Sequence, residues 1–439
     1  MAAEGMRFTQ MYSGNAVCAP SRCVLMTGKD PGRAYIRDNR QWEKAMGLSK
    51  VGKPEFEGQE PVPDEAVLLP EVLRTAGYVS GGFGKWGLGG PGSTGEPLKQ
   101  GFDRWFGFNC QAVAHNFYPT YLWDDDKAIP LNNPPFSSHD KFRPDEDPDD
   151  PKSYARFQGN EYASDRIADE ALAFARKHKD RPFFLYWPVT APHVALQVPD
   201  DSLNEYVGQW EDPPYKGGKG YIPHYRPRAA YAAMITRTDR DVGRMMKLVE
   251  ELGLDENTLF VFTSDNGPLT GNHQGLAGSD GAFFDSAGGL RDGKGTLYEG
   301  GIRVPGIVRW KGTVKAGQVS TRVVGFEDWL PTIAELTGAS KAVPEEVTGV
   351  SFAPTLHGEE QKERESLYRE FPGYGGQQMI RAGKWKLIKT GLIPRGGKKK
   401  AVAAPKTELF DLEADRAETT DLSASHPEVV AKLEALMTA

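Results

Sequence analysis

The sequence predicts an α/β protein: a mostly parallel central sheet covered on both faces, followed by a small α+β subdomain with an antiparallel sheet. Three observations carry this. Apolar runs such as "RPFFLYW" and "NTLFVFTS" alternate with amphipathic stretches for most of the chain. Those runs are apolar throughout rather than at every second residue, which marks strands buried from both sides, as in parallel sheets. Near the end the alternation gives way to "MIRAGKWKLIKT" and "TELFDLEADRAETTDL", which read as strands of a separate small sheet. The boundary falls near residue 360, giving a larger unit over 1–360 and a subdomain over 361–439.

The first element is "NAVCAPSRCVLMTG", residues 15–28, read as a short helix with Pro20 at its start, where the missing N–H of proline is harmless. Cys18 and Cys23 lie five apart on it. At ~100° per residue they point about 140° away from each other, which argues against a local disulfide or a shared metal. "DEAVLLPEVLRTAGY" reads as an amphipathic helix with Gly77 just past its end, and "YVSGGFGKW" as a strand running into glycines. The helix "YASDRIADEALAFARKHKD" precedes the strand "RPFFLYW". A long helix through "RAAYAAMITRTDRDVGRMMKLVEEL" keeps Met234, Ile235, Val242, Met245, Met246, Val249 and Leu252 on one face, and Gly253 stops it before "NTLFVFTSDNG". "HPEVVAKLEALM" closes the chain as a helix with Pro427 near its start. The acidic "PDEDPDDPKS", the Tyr-rich "QWEDPPYKGGKGYIPHYRPR" and the run "GGKKK" read as loops.

Composition excludes several classes. Hydrophobic residues make 39% and charged residues 26% of 439, ordinary for a globular protein. No apolar run reaches the ~18 residues of a membrane-spanning helix. A net charge of −7 argues against general nucleic-acid binding, so any anionic substrate must be drawn by local cations. With 3 cysteines there is no disulfide scaffold. "MAAEGMRFTQ" lacks the basic and apolar regions of a signal peptide.

Sites of open α/β sheets gather at the carboxyl ends of strands. "LFVFTS" delivers Asp265 and Asn266 there, "FFLYW" leads to His193, and "YVSGGFG" ends at Lys85. The loop "GGLRDGKGTLYEGGIRVP" carries Lys294 amid glycines, and Cys18 sits before a helix start. Asp and Asn oxygens suit Ca²⁺ or Mg²⁺. Two lysines, an arginine and a helix N-terminus suit a tetrahedral oxyanion. Taken singly, each has an ordinary reading: "SDNG" as a turn, a lysine as surface charge, Cys18 as nucleophile, metal ligand or core packing. It is their joint occurrence that points to a site.

"CAPSR" followed by "LMTG" resembles the sulfatase motif C-x-P-S-R-x-x-L-x-T-G. "GFGKWGLG" resembles that family's G-K-W-H-L-G, "TSDNG" and "GKGTLYEGGIRVP" its metal and lysine segments, and "LFDL…A…TDL" its C-terminal stretch. Over nearly the whole chain the sequence resembles a type I sulfatase of the alkaline-phosphatase-like superfamily. That resemblance implies an α/β/α sandwich and an enzyme whose cysteine is oxidised to formylglycine by a formylglycine-generating enzyme. By the same resemblance Cys18 becomes the nucleophile and Arg22 steadies it. Asp265 and Asn266, with the modified Cys18, bind Ca²⁺ in preference to Mg²⁺. Lys85 and Lys294 hold sulfate oxygens, and His193 is the acid for the leaving alcohol. The expected substrate is a sulfated carbohydrate, with Trp123, Tyr121, Tyr118 and the Tyr-rich loop available for stacking. A phosphodiesterase or phosphonate hydrolase of the same superfamily, or a non-catalytic sulfoglycan-binding relative, are the alternatives.

Two departures stand out. The second-motif histidine is Gly87 here, and His115 in "NCQAVAHNFYPTYLW" is the candidate to supply the missing imidazole or to bind the sugar. The text "MAAEGMRFTQMYSGNAVCAPSR" resembles sulfatases from the middle of their first helix onward. In the family a strand ending in two metal-binding aspartates precedes that helix. The resemblance therefore implies a fragment of a periplasmic or secreted protein that binds Ca²⁺ poorly, aggregates readily and turns over little sulfate ester.

Overall fold

A computed structural model describes residues 1–42, 57–394 and 405–438; the "GGKKK" run lies outside the described residues. Its strands are β1 Met6–Tyr12, β2 Val79–Lys85, β3 Arg104–Phe108, β4 Tyr121–Asp124, β5 Lys127–Pro130, β6 Phe183–Tyr186, β7 Phe260–Thr263, β8 Arg303–Arg309, β9 Gln318–Ser320, β10 Val324–Gly325, β11 Leu367–Phe371, β12 Gln377–Ala382, β13 Trp385–Thr390 and β14 Lys406–Asp411. Its helices are α1 Cys18–Thr27, α2 Leu69–Arg74, α3 Ala163–Lys177, α4 Asp200–Leu203, α5 Pro227–Glu251, α6 Glu299–Ile302, α7 Trp329–Leu336, α8 Ala353–Leu356 and α9 Pro427–Thr438.

The strands form three sheets. One runs β5-β4-β3-β2-β6, with β2 parallel to both β3 and β6. The second runs β10-β1-β8-β7, with β9 also parallel to β1 and β8 antiparallel to both β1 and β7. Both are mixed. The third, β11-β12-β13-β14, is an antiparallel meander.

Two elements differ from the sequence reading, and a third has no assignment in it. "MRFTQMY", given no element from the sequence, is strand β1: Met6 and Phe8 turn inward while Arg7 faces solvent, a period of two. The helix expected over "DEAVLLPEVLRTAGY" shrinks to α2, because Pro70 sits in its first turn and the Leu68 N–H is capped by Glu71 Oε2 at 2.8 Å. β7, apolar throughout, leaves Val261 and Phe262 each 40% exposed. Among the described residues it ends its sheet, as β6 ends the other.

The third sheet is bolted to the second by buried charge. Lys386 on β13, fully buried, lies 2.9 Å from Glu299 and 2.8 Å from Glu418, and Tyr12 on β1 donates to Glu299 at 2.7 Å. Arg369 on β11 pairs with Glu327 at 2.9 Å, also buried. Such ions persist in a core only when paired and hydrogen-bonded. α9 packs on the outer face, burying Leu433 against Ile380, Leu387 and Leu409.

Candidate active site

Cys18 is the first residue of α1, entered from extended Val17. The loop before it is held by the Asn15 side chain, which accepts from Ala16 N–H and donates to the Glu370 carbonyl, each at 2.8 Å. Lys85 is the last residue of β2, Asp265 and Asn266 follow β7, and Lys294 precedes α6. These positions bring three of the expected side chains to within 4 Å of one buried sulfur. Lys294 Nζ lies 3.3 Å and Lys85 Nζ 3.7 Å from Cys18 Sγ, and Asn266 Oδ1 lies 3.7 Å from it. Burial alone would raise the Cys18 thiol, but Lys294, Lys85 and Arg22 outweigh it and pull the thiol down to about 5. Burial, with Arg22 and Lys294 nearby, brings the Lys85 ammonium down to about 8 against the pull of Cys18. The pit therefore stabilises negative charge at the tip of residue 18.

Arg22, one turn along α1, is tied on three sides. Its Nε donates to the Trp86 carbonyl at 2.7 Å, Nη1 to Asp265 Oδ2 at 2.6 Å, and Nη2 to Gln111 Oε1. Gln111 also donates to Asn39 Oδ1, which accepts from the Ala19 N–H at the start of α1. This explains Gly87. Its φ is +82°, and a Cβ there would stand 2.7 Å from Gln111 Cγ and 2.8 Å from Arg22 Nη2. The space for a histidine is taken by the Gln111–Arg22 contact.

His115 and His193 lie beside this arrangement as a stacked pair, ring centres 4.3 Å apart and 10° from parallel. Burial, together with the other imidazole and the two lysines, pushes His115 well below the usual range; burial and the lysines do the same to His193. Both are neutral at pH 7. His193 Nδ1 faces the Val194 carbonyl, so it carries the proton and leaves Nε2 as an acceptor. Tyr221 Oη stands 3.4 Å from His115 Nδ1.

The sequence profile of the Sulfatase family matches residues 1–339. The chain belongs to the sulfatase family. A second profile, of the C-terminal region of N-sulphoglucosamine sulphohydrolase, matches residues 289–439. The N-acetylgalactosamine-6-sulfatase of Canis lupus familiaris is 32% identical over 377 residues, 84% of this chain and 62% of that protein. Arylsulfatase A of Homo sapiens is 33% identical over 402 residues, 88% of this chain and 68% of that one. This sulfatase-family chain thus spans less than two thirds of the canine relative's length. Among solved structures, that of Ps i-CgsB superposes with a TM-score of 0.73 at 24% identity, covering 100% of this chain and 85% of that one, which gives the two one fold. The alkaline-phosphatase-like α/β fold is the one the sequence predicts, with its C-terminal antiparallel sheet.

In this member of the sulfatase family Asp265 and Asn266 offer hard oxygens beside Cys18, the right donor chemistry for Ca²⁺. Their number falls short: with residue 18 they make three donor groups, against about six to eight oxygens. Asp265 is moreover paired with Arg22. Among the described residues no cluster of three or more His, Cys, Asp or Glu side chains completes a metal cage. No helix among them is long and apolar enough to cross a membrane.

Trp123 is not a sugar platform. It is 6% exposed in the core, and its Nε1 donates to Glu57 at 2.5 Å. Tyr121 donates to the same carboxylate, and Tyr118 is 3% exposed. Their alternation in "YLW" is core packing on β4. The residues that sequence reasoning missed are Gln111, Gln377 and His273. Gln377 Nε2 donates to the Gly295 carbonyl at 2.9 Å and its Oε1 accepts from Leu297 N–H at 3.0 Å, clamping the Lys294 loop from β12. Only Gln111 carried a signal, as a polar residue inside the "NCQAVAH" segment singled out as the source of the imidazole missing at Gly87.

Proposed function

We propose that this chain hydrolyses sulfate esters of carbohydrates through a formylglycine formed from Cys18 by a formylglycine-generating enzyme. The observation that carries this is the placing of Lys85 and Lys294 on either side of residue 18, in a pit otherwise neutralised by the Arg22–Asp265 pair. The relatives' names add the sugar.

The hydrated aldehyde at residue 18 offers two hydroxyls on one carbon: one gives its proton to Asp265 and bonds sulfur as the sulfur–oxygen bond to the sugar alcohol breaks, and the other loses its proton as the carbon–oxygen bond to sulfate breaks and the aldehyde re-forms. Lys85 and Lys294 donate to the non-bridging sulfate oxygens and offset the charge that grows there. Arg22, fixed by Trp86, Gln111 and Asp265, keeps the first turn of α1 in place. His115, neutral and within reach of Tyr221, is the base for sulfate release. His193 is neutral in the free site; a bound sulfate ester offsets the lysines and lets it take up the proton it gives to the leaving alcohol. Asp265 and Asn266 are the partial set that would hold Ca²⁺, which would further offset sulfate charge. The unit over 1–360 carries these groups, and the subdomain over 361–439 backs them. On the same reading the protein works in the periplasm or outside the cell.

The test is co-expression with a formylglycine-generating enzyme, mass spectrometry of the residue-18 peptide, and sulfate release from sulfated sugars and from para-nitrophenyl sulfate. Conversion of the thiol and sulfate release that vanishes in Cys18→Ala are expected. Activity confined to phosphodiesters or phosphonates would overturn the substrate, and an active Cys18→Ala protein the mechanism.

A further inference from the structure

Two non-glycine residues with left-handed backbone adjoin the site, one beside the stacked imidazoles and one beside the Lys294 loop. Tyr221, at φ +62°, lies in the Tyr-rich loop. Its ring meets His115 edge-on at 5.6 Å and His139 at 4.6 Å. Tyr374, at φ +53°, lies in "PGYGG" between β11 and β12. Its ring meets His273 edge-on at 5.5 Å. Gly295, the residue after Lys294, ties this second pair to the pit: a Cβ there would stand 3.0 Å from His273 Nε2 and 3.1 Å from Tyr374 Cε2.

Left-handed conformation is unfavourable for a tyrosine, and such strain collects where a ligand is gripped. In "PGYGG" glycines stand on both sides of Tyr374, yet the tyrosine itself also takes the left-handed turn. The residue is 54% exposed, beside the Lys294 loop. Tyr221 is the more enclosed, its hydroxyl 3.4 Å from His115 Nδ1, and burial pushes its phenol up.

We propose that Tyr221 and Tyr374 are the specificity-determining residues of this site: they grip, from the imidazole side and the lysine side respectively, the sugar ring whose sulfate enters the pit. The inference rests on the sulfatase reading above. Tyr221 offers its hydroxyl to a ring oxygen, and Tyr374 offers a face for the C–H side of a pyranose. His139 and His273 back the two rings. The pit below reads only the sulfate.

Two probes separate rim from pit. Inorganic sulfate engages the pit alone, whereas the 4- and 6-sulfates of N-acetylgalactosamine and the 6-sulfate of N-acetylglucosamine engage both. Binding is read by calorimetry on the full chain carrying Cys18→Ala, so turnover is not needed. Adding Tyr374→Ala or Tyr221→Phe is expected to weaken the best sugar sulfate about ten-fold or more while inorganic sulfate stays within about two-fold. Tyr374→Gly, which removes the strained conformer, loses the sugar with no fall in Tm. Equal weakening of both probes, or unchanged sugar affinity, overturns the proposal. So does binding of inorganic sulfate with none of the sugar sulfates, which leaves the sulfatase reading standing. Binding of neither probe, with no turnover of para-nitrophenyl sulfate, sinks both readings together.

Discussion

At the floor of the site Arg22 is tied by three hydrogen bonds, Cys18 is 4% exposed between two lysines, and the supporting residues sit at the ends of β2, β7 and α1. At the rim Tyr374 is 54% exposed on a loop, where its ring meets those of His273 and Phe371. The floor is over-determined, so a change that breaks its hydrogen-bonded frame disturbs folding and chemistry together, whereas a change to a charge that only faces residue 18 falls on the chemistry. The rim lies on exposed loops, so a change there is expected to reach affinity and little else. On the proposed reading, reaction and recognition fall in regions of different rigidity.

The largest effect expected is at the floor. Lys294→Ala in the formylglycine-bearing protein should lower kcat by about 10²–10³, the usual loss on removing a donor aimed at developing charge. It should leave Tm nearly unchanged, since the backbone of the loop is clamped by Gln377. A loss confined to KM would break the contrast by making Lys294 a rim residue. Gly87→His comes next. It restores the motif histidine but drives it into Gln111 and Arg22 on a left-handed backbone. About 2–4 kcal/mol of stability should go, read by denaturant unfolding, from overpacking and backbone strain combined. A neutral outcome would show that the floor can yield as the rim does. The smallest effect is Ca²⁺. With three donor groups present, calorimetry should find binding weaker than about 10⁻⁴ M, the level of sparsely liganded sites, and Tm should barely move with Ca²⁺ or chelator. Micromolar binding would mean that the floor holds more oxygen donors than those described.

The floor was legible and the rim was not, for a physical reason. Cys18, Arg22, Lys85, Asp265, Asn266 and Lys294 lie in short segments, "CAPSR", "GFGKWGLG", "TSDNG" and "GKGTLYEGGIRVP", whose residue types and spacing can be read locally, and the structure gathers these segments in one place. The central strands and the helices α3, α5 and α9 were legible because burial imposes period and apolarity. β1 goes unassigned because seven residues of mixed polarity hold too little pattern to mark a strand. Trp123 was misread because an aromatic in "YLW" looks the same whether it faces a sugar or Glu57. The rim depends on where Tyr221 comes to rest beside His115 and Tyr374 beside His273, partners about 100 residues apart in sequence, and no local pattern encodes that.

The Gln377 clamp has a thermodynamic consequence. One side chain of the antiparallel meander holds both the carbonyl and the amide that flank the Lys294 loop, while Arg369 donates to the Ser13 carbonyl at 2.7 Å, just ahead of Cys18. The meander therefore cannot detach without loosening both lips of the pit. By linkage the converse holds: an anion that tightens the pit must hold the meander on. Occupancy of the site and docking of the C-terminal sheet are one coupled equilibrium, and a substitution at their seam weakens both through the same free energy.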